Sequence, residues 1–162
     1  MSSYAISEEI ISPFGIELGK ELEKKYIDEN EKSRYWGICY KTKNPPIKNN
    51  NFENYSICTT PISKTVTSIL AKKKTINDCY GLYVDLVTII SEKYNLEYEK
   101  PSYGNPAQVL RNEFISILVS CYNYEILEVR YELLTKEIQK IINDESVAFE
   151  ENRISEIDQK GL

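Results

Sequence analysis

The apolar positions of this 162-residue chain recur at spacings of three and four over most of its length. After Ser12-Pro13 come Phe14, Leu18, Leu22 and Tyr26. After Thr60-Pro61 come Ile62, Val66, Ile69 and Leu70. After Asn105-Pro106 come Leu110, Phe114, Ile117, Leu118 and Cys121. Such spacing lines one face of a helix. Each stripe also follows a good N-cap residue and a proline, whose fixed φ and missing N–H suit the first helical position. The pattern predicts three helices, each with its own start signal.

Two more helices rest on periodicity and weaker caps. Thr75-Ile76-Asn77-Asp78 has the form of a capping box with Asp in place of Glu. Behind it Ile76, Cys79, Tyr80, Tyr83, Leu86, Val87, Ile90 and Tyr94 recur at three and four. Later, Leu127, Tyr131, Leu134, Ile138 and Ile141 make a heptad-like stripe of the kind that packs in a bundle.

Two segments break this rhythm. Residues 35–40 (Tyr-Trp-Gly-Ile-Cys-Tyr) and 55–58 (Tyr-Ser-Ile-Cys) read as short strands around the polar, turn-forming run 44–51. They predict a small hairpin. Residues 96–104 read as an extended connector. The tail from 144 to 162 is highly charged, with only Val147, Phe149, Ile154 and Ile157 to pack, and is expected to be weakly helical or frayed.

The expected fold is therefore mainly α: a single domain over residues 1–162, built as a bundle of four or five helices with a small β-hairpin insertion. One alternative stays open. Residues 114–121 and 124–133 are rich in β-branched and aromatic side chains, and Tyr122-Asn123 between them would serve as a hairpin turn. On that reading the chain is α+β, with a second hairpin over 114–133.

Composition adds bounds. Hydrophobic content of 41% and charged content of 28% are globular values, so wholesale disorder is excluded. The net charge of −5 disfavours a nucleic-acid binder, which usually shows a basic face. It suits a protein partner, and a basic one best. The N-terminus is polar and acidic, and no run reaches the ~18 apolar residues of a membrane span. A cytoplasmic protein away from membranes is expected. The skew toward Lys, Asn, Ile and Tyr fits an AT-rich bacterial or phage genome. Cys39, Cys58, Cys79 and Cys121 are far apart, with no C-x-x-C pair, so buried, reduced thiols are expected in a reducing compartment.

The chain contains no histidine. That removes an imidazole base, the Ser-His and Cys-His nucleophile systems, and histidine metal ligands. No phosphate-binding glycine loop is present. Glu125, Glu128 and Glu132 would share a helical face, but Arg130 and Lys136 lie close, so the group reads as a solvated charged face. Lys72-Lys73-Lys74 reads as the cationic end of a helix. Cys39, beside Lys41, reads as structural. No catalytic residue, metal ligand or cofactor is expected.

The aromatic residues are the remaining candidates. Tyr35, Trp36, Tyr40 and Tyr55 gather on the expected hairpin, and tyrosine and tryptophan are favoured interface anchors. These four are the expected partner-binding residues. The matching function is a small acidic binding protein that neutralises or occludes a partner, as an immunity protein, antitoxin or phage-encoded inhibitor does. The alternative is a self-associating structural or regulatory subunit.

Overall fold

A computed structural model describes residues 11–26, 37–75, 77–98 and 106–159. In chain order the elements are two short 3-10 turns (Pro13–Gly15 and Lys24–Tyr26), strands β1 (Ile38–Thr42), β2 (Asn54–Thr59) and β3 (Val66–Lys74), helix α1 (Cys79–Tyr94), strands β4 (Ala107–Arg111), β5 (Ile115–Tyr122) and β6 (Ile126–Leu133), and helix α2 (Lys136–Gln159). The strands form one antiparallel sheet of order β1-β2-β3-β6-β5-β4. The chain thus runs three strands and a helix, then three strands and a helix. The two meanders join through β3 and β6, where Ala71 sits opposite Val129.

Burial alternates along the strands with the period of two that a pleated sheet imposes. In β5, Ile115, Ile117, Val119 and Cys121 are buried, and Ser116, Leu118 and Ser120 between them are only half-buried. Through the register, Leu127, Val129 and Tyr131 of β6, Ile69 and Ala71 of β3, and Tyr55 and Ile57 of β2 share that face. It is covered by Tyr83, Leu86, Val87 and Ile90 of α1 and by Ile16, Leu18 and Leu22 of the leading segment, which join it in one apolar cluster. That segment is held by backbone bonds, among them Gly19 N–H to the Val66 carbonyl at 2.8 Å and Leu22 N–H to the Lys64 carbonyl at 2.9 Å.

The helical bundle is therefore overturned: the described residues hold two α-helices and a six-stranded sheet, an α+β architecture. The three proline signals mark turns and strand starts instead. After Pro13 the chain bends at once, because Phe14 adopts a left-handed backbone (φ 56°). Pro61 opens the β2–β3 turn, where the Thr60, Ser63 and Thr65 hydroxyls bond one another at 2.9 and 2.7 Å. Pro106 leads into edge strand β4, and its carbonyl accepts the Cys121 N–H at 2.7 Å. A capping residue followed by proline is also turn chemistry, and the same dipeptides serve both uses.

The stretch 114–133 folds as the hairpin that the sequence left open. Ile115–Tyr122 pairs with Ile126–Leu133, and Asn123 and Tyr124 at its tip both take left-handed backbones (φ 50° and 58°). The heptad-like stripe splits accordingly. Leu127 and Tyr131 belong to β6, while Ile138 and Ile141 belong to α2, whose first turn is capped by the Thr135 hydroxyl accepting from Ile138 N–H at 3.4 Å. Of the expected small hairpin, residues 35 and 36 lie outside the described residues; the rest forms β1 and β2, as the edge of the large sheet. Gly37 lies at its start (φ 138°), where a Cβ would collide with the Thr59 carbonyl.

Helix α1 starts near its expected cap but not at it. Asp78, not Thr75, receives a helix N–H, that of Gly81 at 3.1 Å, and the Thr75 hydroxyl instead donates to the Glu125 carbonyl at 3.0 Å. Helix α2 continues to Gln159 and includes most of the charged tail; Glu151–Glu156 are exposed.

The reduced thiols are also overturned. Cys39 bonds Cys58, its direct neighbour across β1 and β2, and Cys79 at the start of α1 bonds Cys121 of β5, strapping the helix to the sheet. Among the described residues no helix is long and apolar enough to cross a membrane.

Candidate functional site

The second face of the sheet differs from the first in chemistry. Alternation places Lys41 of β1, Lys72 and Lys74 of β3, Arg130 of β6 and Arg111 of β4 on it, against the carboxylates Glu128 and Glu132 of β6. Serines at 56, 68, 116 and 120 and the half-buried Leu70 and Leu118 fill the positions between. Glu128 is the most enclosed of the charges. It forms an ion pair with Lys72 Nζ at 3.0 Å and lies 3.6 Å from Arg130 Nη2, and both cations stay nearly half exposed. One end of this face carries Tyr122, 62% exposed, beside the equally exposed Tyr124 at the hairpin tip.

The acidic trio thus has a different setting from the helical one expected. Glu128 and Glu132 share a strand face because they are an even number of residues apart, and Glu125 lies in the turn, 3.6 Å from Lys74 Nζ. The lysine run is the end of β3, with each ammonium near a carboxylate of another segment: Lys72 near Glu128, Lys73 near Glu53 and Lys74 near Glu125. Cys39 holds no thiol in this state. Among the described residues no group of three or more His, Cys, Asp or Glu is arranged to hold a metal ion.

At the outer end of the β1–β2 hairpin lies a cavity of about 580 Å³. Its described walls come from three segments: Lys25 and Tyr26 of the second 3-10 turn, Lys41, Thr42, Lys43 and Asn44 at the end of β1, and Asn54 and Tyr55 at the start of β2. Lys25 pairs with Glu23 at 2.6 Å and stands over the Tyr26 ring, 4.9 Å from its centroid. The hydrogen bond it donates to that carboxylate holds the Lys25 ammonium above its ordinary pKa.

Of the four expected anchors, Tyr35 and Trp36 lie outside the described residues. Tyr40 and Tyr55 are 6% and 3% exposed and face the apolar core. The Tyr55 ring packs edge-on against Phe14 at 5.0 Å, and its hydroxyl donates to the Asn49 carbonyl at 3.3 Å. Phe14 also meets Phe52 and Tyr131 at 5.7 and 6.0 Å, so these aromatics close the core beneath the leading segment. Of the two described anchors, Tyr55 reaches the cavity and Tyr40 is not among its described walls. Composition did not mark the lysines around it, because Lys25 and Lys43 are far apart in sequence and come to line one cavity only in the folded chain.

Comparison with protein-family models, characterised proteins and solved structures returns no match to this chain.

Proposed function

We propose that this chain is a non-catalytic binding protein that occludes a partner protein, as an immunity protein, antitoxin or phage-encoded inhibitor does, and that the partner seats an acidic surface on the second sheet face. The observation that carries this reading is charge segregation. A chain of net charge −5 gathers five cations against two carboxylates on one strand face, with Glu125 of the adjoining turn beside Lys74. Screening limits each charge to a reach of about 8–10 Å at physiological salt, so a docking partner senses this face and not the total. The partner is accordingly acidic where it touches, whereas net charge alone favoured a basic one. A protein fits better than a nucleic acid, because Glu128 and Glu132 interrupt the cationic field and, among its described strand positions, Tyr122 is the one aromatic ring. The two disulfides support an oxidising working compartment rather than the cytoplasm.

The test is charge reversal. Lys72→Glu with Arg130→Glu should abolish capture of an acidic protein partner from the native source, while Lys140→Glu on exposed α2 should not. Purified partner should then bind wild-type protein with an on-rate that falls as salt rises. Recovery of nucleic acid, or equal capture by both variants, would defeat the reading.

One observation favours self-association as a second reading. Helix α2 carries seven carboxylates against three cations, and its Glu151–Glu156 stretch is exposed. The α2 of a second copy would meet the cationic face with complementary charge. Light scattering on the eluting protein decides it: a stable dimer that Lys72→Glu dissociates supports this reading, and a monomer removes it.

A further inference from the structure

We infer that β4 is a dimerisation edge, and that the β4 of a second copy of this chain pairs with it strand to strand. Two backbone bonds fix which groups β4 turns outward. Cys121 N–H donates to the Pro106 carbonyl at 2.7 Å, and Asn112 N–H donates to the Ile115 carbonyl at 3.0 Å. Hydrogen-bonded pairs alternate along an antiparallel ladder, so Gln108 and Leu110 bond inward to Val119 and Ile117. The N–H and C=O groups of Ala107, Val109 and Arg111 therefore point away from β5, and among the described residues no strand pairs with them. All three side chains are exposed, Val109 at 48%. Lysine, proline and bulges are the usual devices that blunt a bare edge, and Ala107–Arg111 contains none of them.

Symmetry and charge select the occupant. A two-fold axis through Val109 sets Val109 against its counterpart, with Ala107 against Arg111 on either side. All three pairs are of the hydrogen-bonded kind, so each exchanges two bonds and no outward group of the strand is left over. The smallest side chain lies opposite the largest. The two valines make an apolar contact that continues to Leu118, which is opposite Val109 on β5. The two Arg111 side chains stand four residues apart along the seam, about 14 Å at ~3.4 Å per residue. That is beyond the ~8–10 Å reach of a charge at physiological salt. A register that set Arg111 against Arg111 would put like charges face to face. An unrelated extended peptide satisfies the backbone alone, whereas a second copy satisfies backbone, side-chain size and charge together. The axis is normal to the sheet, so the two cationic faces look the same way and form one surface. Lys72 and Arg130 lie on the inner strands β3 and β6, so this pairing does not rest on the proposed partner binding.

Sedimentation velocity of the full disulfide-bonded chain at rising concentration tests this. It should show a monomer–dimer equilibrium with Kd below about 100 µM. Val109→Lys sets two ammoniums against each other across the axis and should raise that Kd at least about tenfold, while Lys140→Glu on α2 should leave it unchanged. Amide exchange supplies a readout that needs no variant. In concentrated wild-type protein the Ala107, Val109 and Arg111 amides should be protected and lose protection on dilution, whereas Gln108 and Leu110 stay protected throughout. A monomer at every concentration overturns the inference. So does a dimer whose Ala107, Val109 and Arg111 amides stay unprotected, or one that Lys72→Glu dissociates and Val109→Lys does not. Protection of those amides only when a different protein is bound would assign the edge to that protein and exclude a second copy. Partner capture by the Val109→Lys variant is read separately, so failure of the dimer and failure of partner binding are distinguishable.

Discussion

Glu145 in the middle of α2 accepts two backbone N–H groups of the β2–β3 turn, those of Ile62 at 2.8 Å and Ser63 at 2.9 Å. A helix that begins where β6 ends is thereby tied to a turn 83 and 82 residues earlier in the chain. Beyond this tie the helix becomes exposed along Glu151–Glu156.

This carboxylate carries a pH dependence. Partial burial alone would raise its pKa, but the hydrogen bonds from Ser63, Ile62 and Thr60 outweigh that and hold it below the usual 4.5. A depressed carboxylate stabilises the fold above its unfolded-state pKa, and the contribution is lost as pH falls through the lower folded value. Glu145→Ala should cost about 1 kcal/mol at neutral pH, after allowing for solvent screening. Amide exchange at Ile62 and Ser63 should speed up in that variant. In the wild type their protection relative to the intrinsic exchange rate should fall only in acid, below about pH 4.5.

The disulfides should not contribute equally. The Cys79–Cys121 bridge spans a separation of 42 residues and Cys39–Cys58 one of 19. Loop entropy assigns them about 4 and about 3 kcal/mol. Cys79→Ala with Cys121→Ala should therefore lower the denaturation midpoint more than Cys39→Ala with Cys58→Ala. Thiol labelling of the unreduced protein in denaturant should find no free cysteine. Four labelled thiols would restore the reduced state expected from the sequence.

Tyr83 is fully buried, and among the described residues its hydroxyl finds no hydrogen-bond partner. Desolvation raises its pKa, with the neighbouring Tyr80 adding to the effect. Removing an unsatisfied buried hydroxyl is nearly free or favourable. Tyr83→Phe should leave Tm unchanged or raise it, with a gain of up to about 1 kcal/mol. A loss larger than that in thermal melts would reveal a partner for the hydroxyl.

Strand parity gives a paired prediction on β5. Ile117 is fully buried under α1, whereas its neighbour Leu118 points to the second face and is half-buried. Ile117→Ala should cost about 2–5 kcal/mol and Leu118→Ala clearly less. Denaturant midpoints rank them. A helix through Leu110, Ile117 and Leu118 would bury both residues and make the losses alike. Ile138 is buried at 2% apart from the main cluster, and its replacement by Ala should also cost about 2–5 kcal/mol.

Local chemistry by itself determined the elements whose neighbours in sequence supply their stabilising contacts. Helix α1 was legible from the stripe ending at Tyr94 and from the polar cluster ahead of it, because its hydrogen bonds and its Asp78 cap are local. The turn-forming run between β1 and β2 was legible for the same reason. The absence of histidine settled which imidazole chemistry is impossible without any structure. The sheet was decided by tertiary structure. Ile115-Ser-Ile-Leu-Val-Ser-Cys121 satisfies a period of two and, with Phe114, a spacing of three and four, so only a partner strand on each side chooses between them. The Cys39–Cys58 bridge follows from strand pairing, since Cys58 is opposite Cys39 only in the realised register, and Cys79–Cys121 from the seating of α1 on the sheet. The cationic face and the lysine cavity are likewise products of register and of how the leading segment lies, because charges far apart in sequence act together only where strand order makes them neighbours.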